Sequence, residues 1–429
     1  MRVDELRRAL GVEIGSANPD GDNVPSIGTV LACCQRLVFV DKGTSTVRLI
    51  HFTLQEYLQA HAEHFDRPHA AMAETCLSYL NSHQVKALSP NSWPHDPHLQ
   101  GTPFLEYCSV YWGVHAKRDL SDCAKQLALE LFGGCSNHIS AKLLLGTERS
   151  RLYFPGFGGY SKSSGLHCAS LHGIAEIVTS LVEAEGCDIN QTDCTGNTPL
   201  IWAAVGGHEV VKILLGQDGV NPNKQGSNRR TSLWSAAFYG HEEVLKTLLG
   251  RGDIDPDIPD CNGRTPLWSA VETGREEMIK MLLGRGDVNP NILDKDGRTP
   301  LWWAAKNGHE GTVEILLGRD DVNPDIPDCN GRTPLLDAAE NGHREVVQML
   351  LGRGDVNPGK PDIYGKTPLL CAAASGQEGV VKTLLGRGDV NPDKPDMYGQ
   401  TPFFCATSRG HAGVVALLQP RAPAAPGTA

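Results

Sequence analysis

The stretch Thr299-Pro-Leu-Trp-Trp-Ala-Ala-Lys-Asn-Gly-His309 decides the fold, because its pattern returns at an almost fixed period through the last two-thirds of the chain. The first leucine of each copy, which we call the anchor, marks the period. The anchors are Leu166, Leu200, Leu233, Leu267, Leu301, Leu335, Leu369 and Phe403. Successive anchors lie 34 residues apart, except for one interval of 33. A period in this range predicts a solenoid of stacked supersecondary units.

The unit that contains Leu267 shows how each copy is expected to fold. Thr265 can cap the first free N–H groups of a helix, and Pro266 is tolerated at its first position. Gly274 ends this helix, and a second helix is predicted over residues 276–283. Residues 284–290 then turn outward as an extended finger that leads towards the next unit. One unit cannot bury its own apolar face, but stacked neighbours can.

Thr-Pro-Leu, Ala-Ala, Gly-His, Leu-Leu and Asp-Val-Asn in this order resemble the ankyrin repeat. The resemblance covers about residues 164–418 and implies a mainly α fold, an ankyrin-repeat α-solenoid of about eight repeats. Ser164-Gly165 replaces Thr-Pro in the first unit, which suggests a cap. Arg229 stands where other units carry Gly, and Ser232 replaces Pro, so we expect a distorted finger before Leu233.

Composition excludes several classes of function. The formal net charge is −11, which argues against a general binder of nucleic acid or anionic membranes. No apolar run of about 18 residues occurs, so no transmembrane helix is expected. The first residues lack the apolar core of a signal peptide, so we predict a cytoplasmic, non-secreted protein.

The number of cysteines, 13, suggests disulfides or metal sites, but their positions follow the repeat. Six of the seven repeat cysteines occupy two equivalent positions. These are Cys194, Cys261 and Cys329, two residues before the finger glycine, and Cys168, Cys371 and Cys405, two residues after the anchor. No Cys-x-x-Cys occurs, so we interpret them as reduced structural thiols.

The first 150 residues lack the repeat. Helices are predicted at residues 4–10 and 26–34, a hairpin at 37–40 and 47–50, and a further helix from residue 51. This order of helix, helix, hairpin and helix is winged-helix-like.

Residues 47–58 are similar to the end of the winged-helix domain in NACHT-type signal-transduction ATPases, of which fungal members often carry C-terminal ankyrin repeats. Residues 104–112 resemble the helical segment that lies between those two regions. The resemblance implies that His51 contacts the phosphate of a bound nucleotide; alternatively His51 is a partly buried histidine at a helix start. The predicted domains are a winged-helix-like domain (1–66), a helical segment (67–148), a linker (149–163), ankyrin repeats (164–418) and a disordered tail (419–429).

The phosphate loop of an NTPase, Gly-x-x-x-x-Gly-Lys-[Ser/Thr], is missing from the sequence. The nearest stretch, residues 156–163, has the wrong spacing and reads better as an interdomain linker. We therefore expect no cofactor, and the chain looks like the C-terminal portion of a NACHT–ankyrin receptor without its motor.

Other candidate sites have simpler interpretations. His61 and His64 share a helix face but lack a third metal ligand of fixed spacing. Arg-Gly-Asp recurs at one place in the repeat and is interpreted as turn geometry. Acidic pairs such as Asp257/Asp260 and Asp325/Asp328 are interpreted as solvated turn acids. The histidines that follow the helix-ending glycine are structural positions: His208, His241, His309, His343 and His411. The predicted recognition helix of the winged-helix domain has one basic residue, too few for DNA. No catalytic set is visible, so we predict that the protein is not an enzyme.

The ankyrin resemblance implies a concave face, lined by first helices and fingers, that binds a protein partner. On the helices its residues are Phe238, Tyr239, Glu272, Thr273, Lys306, Asn307, Glu340 and Asn341, with Ser408 and Arg409 in the last unit. On the fingers they are Arg264, Lys295, Arg298, Arg332, Tyr364, Lys366 and Tyr398. They vary between units, as expected of a binding face and also of an unselected surface. Tryptophans directly after the anchor are instead expected to pack between units: Trp234, Trp268 and Trp302.

These features predict the sensor and regulatory half of a STAND-type receptor, of the kind used in fungal non-self recognition or programmed cell death. Two alternatives remain open. The chain could complete an NTPase motor in trans through His51, or it could be a passive scaffold. Neither nucleic acid nor membrane is an expected partner, and the oligomeric state stays open.

Overall fold

The computed structural model describes residues 38–41, 46–49, 67–86, 104–132, 164–184, 186–193 and 195–419. These residues are mainly helical. The chain divides into two compact units, Met1–Ser227 and Asn228–Ala429.

The first unit contains a hairpin in the region where the sequence predicts one. Strand β1 (Val38–Asp41) pairs antiparallel with β2 (Thr46–Leu49), and Val38 lies opposite Leu49. The other predicted winged-helix elements, together with His51, His61 and His64, lie outside the described residues. The winged-helix domain therefore stays a prediction, as do the linker and the character of the tail.

In the described part of the first unit, four helices precede the repeats. They are α1 (Pro68–Asn81), α2 (His83–Lys86), α3 (Phe104–Arg118) and α4 (Asp122–Phe132). The buried Trp112 ring lies 5.3 Å from the rings of both Phe132 and His172. Because His172 belongs to the first repeat, the helical segment and that repeat share one core.

The first unit ends with two repeat-type helix pairs. They are α5 (Gly165–His172) with α6 (Ala175–Val182), and α7 (Pro199–Gly206) with α8 (Val210–Leu215). A 3₁₀ turn, Ser227–Arg229, follows, with φ of 54° at Asn228 and 60° at Arg229. The expected distortion before Leu233 is therefore confirmed, because two non-glycine residues adopt the left-handed region there.

In the second unit the helices again come in pairs, an inner helix followed by an outer one. The inner helices are α9 (Ser232–Tyr239), α11 (Pro266–Glu272), α13 (Pro300–Asn307), α15 (Pro334–Asn341), α17 (Pro368–Ala374) and α19 (Pro402–Ser408). The outer helices are α10 (Glu242–Leu249), α12 (Glu276–Leu283), α14 (Glu310–Leu317), α16 (Arg344–Gly352), α18 (Glu378–Leu385) and α20 (Ala412–Leu418).

The inner helices begin as the sequence predicts. The Thr299 hydroxyl accepts the N–H of Trp302 at 3.0 Å, and a proline occupies the first turn of α13. The anchor Leu301 is buried, and Gly308 ends the helix with φ of 71°. In every inner helix of the second unit except α9, which has Ser232 in place of the proline, cap, proline, anchor and glycine together fix where the helix begins, which side it buries and where it ends.

A buried aspartate closes every described finger except the one before Leu233, which has Gly226 at the equivalent position. Asp260 accepts the backbone N–H groups of Asn262 at 2.8 Å and Arg264 at 3.0 Å, and Asp328 does the same in its own finger. Both carboxylates are buried. The interpretation of Asp260 and Asp328 as solvated turn acids is therefore wrong: backbone N–H groups replace the water they would otherwise bind.

Neighbouring fingers of the second unit are joined by a fingertip ladder of backbone hydrogen bonds. Lys295 N–H donates to Asn262 O at 2.9 Å, and Met397 N–H donates to Tyr364 O at 2.9 Å. The rungs between them are Cys329 to Asp296 and Ile363 to Asn330, each 3.0 Å long. The ladder therefore gives every joint between these fingers one identical polar contact.

At four joints of the second unit a glycine, four residues before the anchor, packs closely against the next finger, and we call this contact the glycine seat. A Cβ added at Gly297, whose φ is 75°, would lie 3.0 Å from the Cys329 nitrogen. The equivalent Cβ at Gly365 would lie 2.9 Å from the nitrogen of Met397. Glycine is thus required both by the backbone angle and by the close approach of the next finger.

The arginines of the Arg-x-Asp tripeptides hydrogen-bond to carbonyls of the preceding repeat, and we call this set of contacts the arginine stitch. Arg319 Nη1 donates to Leu283 O at 2.7 Å and to Arg285 O at 3.3 Å, both in the preceding repeat. The same guanidinium holds Asp321 of its own tripeptide. Arg285 and Arg353 repeat this arrangement on the carbonyls before them. The tripeptide is a turn, as predicted, and the arginine also caps the end of the preceding outer helix.

Candidate protein-binding face

The histidines that follow the inner helices serve the scaffold. His343 Nε2 lies 3.0 Å from Lys306 O and His411 Nε2 lies 3.1 Å from Ala374 O, each in the preceding repeat. In the first unit, His208 makes the same contact with Leu171 O at 2.8 Å. These imidazoles bond to backbone carbonyls, which is the structural role that the sequence predicts.

Basic side chains at the finger bases lie over buried tryptophan rings. The guanidinium carbon of Arg264 lies 3.9 Å from the Trp268 ring centre, and that of Arg298 lies 4.8 Å from the Trp302 ring centre. Trp234, Trp268 and Trp302 are buried, as the sequence predicts for residues directly after the anchor. Stacking holds each arginine in place while leaving part of its charge accessible.

Ion pairs connect two of these arginines to the ends of their inner helices. Arg264 Nη1 lies 3.0 Å from Glu272 Oε1. Arg332 lies 2.9 Å from Asp337 Oδ1 and also contacts Glu340. Burial alone would lower the pKa of Arg332, but the hydrogen bond and charge of Asp337, reinforced by Glu340, raise it. The guanidinium is thus a permanent charge. The structure therefore brings together predicted site residues from the finger and the helix of one repeat.

The repeat of Leu301 lies between those of Glu272 and Glu340 and carries the opposite charge at the end of its inner helix. Lys306 occupies the position of Glu272 and Glu340, and its Nζ lies 5.0 Å from the Trp302 ring centre. Arg298 contacts the opposite charge of Asp296 at 2.8 Å instead. Along three successive repeats the helix-end charge is thus negative, positive and negative.

Aromatic side chains lie at one end of this row. The Phe238 ring stacks on Trp234 with ring centres 5.0 Å apart, and the Tyr239 ring meets Phe238 edge-on at 5.1 Å. Both residues are half-buried. Trp303, also half-buried, lies 5.1 Å from Trp268 of the preceding repeat and extends the aromatic surface.

Three predicted residues make local contacts only. Asn307 and Asn341 donate their side-chain amides to carbonyls one turn earlier, and Thr273 donates its hydroxyl to Ser269 O. All three are exposed at the ends of inner helices. Beyond these bonds, their side chains have further donors or acceptors that face solvent beside the charged row.

Tyr364 and Tyr398 occupy the tips of the last two fingers and are exposed. Lys366 Nζ lies 5.9 Å from the Tyr364 ring centre. The preceding residues, Ile363 and Met397, are also exposed and were not selected from the sequence. An apolar residue at a position where other repeats carry Cys, Ser or Lys was the signal that could have found them.

The cysteines two residues after the anchor are buried. Burial raises the pKa of Cys371 to about 12 and that of Cys168 further, so both stay protonated. Among the described residues, no group of His, Cys, Asp or Glu could hold a metal ion. No helix of the described ranges combines the length and apolarity needed to cross a bilayer.

Capped helix pairs, stacked through glycine-seated fingers, define a repeat protein whose contacts run between nearest neighbours. The family profile described as "Ankyrin repeats (3 copies)" matches residues 135–226, 165–260, 218–291, 286–362 and 353–424. These matches together span more than half of the sequence, so the chain belongs to the ankyrin-repeat family. The fold is typically a non-enzymatic module for protein–protein interaction.

A solved structure described as the crystal structure of EF0377, an ankyrin repeat protein, is similar to part of the chain. It is 25% identical, and the two superpose with a TM-score of 0.42 over 44% of this chain and 96% of that one. No curated protein sequence matches the chain.

Proposed function

We propose that the inner helices and finger bases of the second unit form the face that binds a protein partner. One observation carries this proposal. The positions that follow the Ala-Ala pair change from Phe238 to Glu272, Lys306 and Glu340, whereas the anchors on the same helices stay buried. A face with stacked aromatic rings, fixed arginines and alternating charge is suited to selecting one protein surface by shape and charge.

The test is an affinity capture from native lysate with a matched pair of variants. Phe238→Ala/Lys306→Ala/Glu340→Ala changes the proposed face. Glu243→Ala/Lys280→Ala/Glu314→Ala removes exposed side chains from outer helices of the same unit. With all melting temperatures equal, a partner retained by wild type and control but lost by the face variant supports the proposal. Equal capture by all three would mean that the face lies elsewhere.

The wider role rests on resemblance. The similarity of residues 47–58 and 104–112 to NACHT-type proteins supports a cytoplasmic sensor and regulatory half of a STAND receptor, with eight repeats over residues 164–418. In this proposal partner binding at the repeats controls a separate NTPase, and the chain itself catalyses nothing. Deletion of residues 1–150 should abolish signalling while leaving capture by the repeats intact. Signalling that survives the deletion favours the passive scaffold.

The second candidate is a regulatory partner that completes an NTPase motor in trans through His51. Its support is the match of residues 51–56 to the family's His-x-x-x-Gln-Glu stretch. Nucleotide binding by a mixture of this chain and a NACHT fragment, weakened by His51→Ala, would favour it. Binding that does not depend on His51 would exclude it.

A further inference from the structure

Two cationic side chains converge on one tryptophan ring in the repeat of Leu301. The guanidinium carbon of Arg298 lies 4.8 Å from the Trp302 ring centre, and Lys306 Nζ lies 5.0 Å from the same centre. Within the part of the chain that the structure describes, no carboxylate lies within ion-pair distance of Lys306. An anion placed between the two groups is therefore attracted by both charges.

The flanking repeats show which group fits beside an arginine at this place. Arg264 Nη1 lies 3.0 Å from Glu272 Oε1, and Arg332 contacts Glu340. Each glutamate stands at the end of its own inner helix, where Lys306 stands in the repeat between them. That repeat therefore brings a second cation to a place where its neighbours bring a carboxylate.

The acids near the two cations do not fill this place. Asp296 contacts Arg298 at 2.8 Å, but its side chain is 59% exposed, and water and salt screen exposed ion pairs. Asp337, whose charge acts on Lys306, is buried and bonded to Arg332 of its own repeat. An anion from outside thus meets two cations that the nearby acids neutralise only in part.

We propose that Arg298 and Lys306 form an anion-binding site for one acidic group of the protein partner, either a carboxylate or a phosphorylated side chain. The anion lies between the guanidinium and the ammonium group, in the place that a glutamate takes in each flanking repeat. This assignment rests on the proposed binding face and names the chemistry of the group that the centre of that face recognises.

The flanking glutamates restrict what can surround this anion. Glu272 and Glu340 lie one repeat away on either side, so a second acid of the partner placed next to the first would meet a like charge. The fitting surface of the partner therefore carries one isolated acidic group with neutral or basic neighbours. A run of acidic residues does not fit.

The probe is a glutamate blocked at both ends, titrated at low salt into the isotope-labelled full-length chain. Blocked phosphoserine and the neutral blocked glutamine are the comparison compounds. The NMR signal of the Trp302 indole N–H, assigned with Trp302→Phe, reports the site. We expect both anions to shift it saturably, with half-saturation at about 10 mM or below, and glutamine to leave it unchanged. The anion that binds more tightly identifies the source of the group.

The variants separate this site from general attraction of anions. Lys306→Gln should weaken binding about tenfold or more, and Lys306→Glu, which gives the repeat the acid of its neighbours, should abolish it. Lys280→Gln, on the outer helix α12, is the matched control and should bind as wild type does. Shifts that do not saturate up to about 100 mM, or that are equal in Lys306→Gln and wild type, would overturn the site.

The titration uses no partner, so it can fail independently of the proposed function. A failed capture experiment leaves the anion-binding site intact, and a failed titration leaves the face free to bind through its other contacts. Where capture succeeds, Lys306→Glu alone should lose the partner that wild type retains. Capture unaffected by this substitution would overturn the acidic group as the feature recognised on the partner.

Discussion

At the scale of single residues, the finger position ten residues before the anchor is asparagine in several repeats, whereas Asp257 places an acid there, where an amide fits better. The amide of Asn291 donates to Asp321 O at 2.7 Å and that of Asn190 donates to Gly219 O at 2.7 Å, each in the next finger. Asp257 accepts the N–H of Asn289, but its Oδ1 is buried without a hydrogen-bond partner. Burial raises the pKa of this carboxyl above its usual value.

Asp257→Asn should stabilise the protein by about 1 kcal/mol at neutral pH, because the new amide can donate to the neighbouring finger. The measurement is a urea unfolding curve. The reciprocal change Asn291→Asp should lose a comparable amount. A stabilised Asn291→Asp would show that the two fingers are not equivalent.

The pH dependence follows from the raised pKa of Asp257. A carboxyl whose pKa is higher in the folded state stabilises the fold when protonated, and this contribution is lost as the pH rises through the folded pKa. The advantage of Asp257→Asn should therefore be full at about pH 7 and shrink towards about pH 3. An advantage independent of pH would assign it to another cause.

Arg229 stores backbone strain in the finger before Leu233. Its φ of 60° lies in the region that favours glycine, and the other fingers carry glycine at this position. Arg229→Gly should raise stability by about 1 kcal/mol, since the relief of strain exceeds the added freedom of the unfolded chain. Thermal melting checks the prediction, with Arg344→Gly, in an outer helix, expected to destabilise.

At the scale of elements, the arginine stitch ties each outer helix to the next repeat. Arg319→Lys should cost about 1–2 kcal/mol, because an ammonium group cannot reproduce the planar set of bonds to Leu283 O, Arg285 O and Asp321. Urea unfolding gives the free energy. The exposed Arg344→Lys on α16 should be neutral, and an equal loss there would mean that arginine contributes through something other than the stitch.

The helices were predictable from the sequence and the stitch was not. Thr299, Pro300 and Leu301 act within one turn of helix, so their roles can be read from local spacing. Arg319 finds its acceptors 34 and 36 residues earlier, and spacing says nothing about the direction in which a turn side chain points. The pairing of Arg264 with Glu272 was missed for the same reason: both were selected, but not as partners.

At the scale of the molecule, stability in the second unit should fall towards its last helix pair, α19 and α20. Leu301 and Trp302 are covered on both sides, whereas Phe403 and Phe404 are exposed. We expect the amides of α19 and α20 to exchange with solvent at least about tenfold faster than those of α13 and α14. Hydrogen exchange with mass spectrometry measures this. Uniform protection would contradict nearest-neighbour stabilisation.

The regular period predicted the stacking of neighbours but not where the stack is left uncovered. Every unit has an apolar anchor, and the period alone does not predict how much more exposed the last one, Phe403, is than Leu369. Likewise the variable residues of the proposed face could be selected from the sequence, whereas their charge pairing depended on three-dimensional proximity.

The glycine seat makes the joints interchangeable. At Gly263, Gly297, Gly331 and Gly365 the added Cβ would meet the next finger at 2.9 to 3.1 Å, so each joint presents the same fit. Unequal recombination that inserts or deletes one 34-residue unit between these glycines would create no new kind of contact. The length of the proposed binding face can therefore change in a single genetic event, while point substitutions at positions such as Lys306 adjust its charge separately.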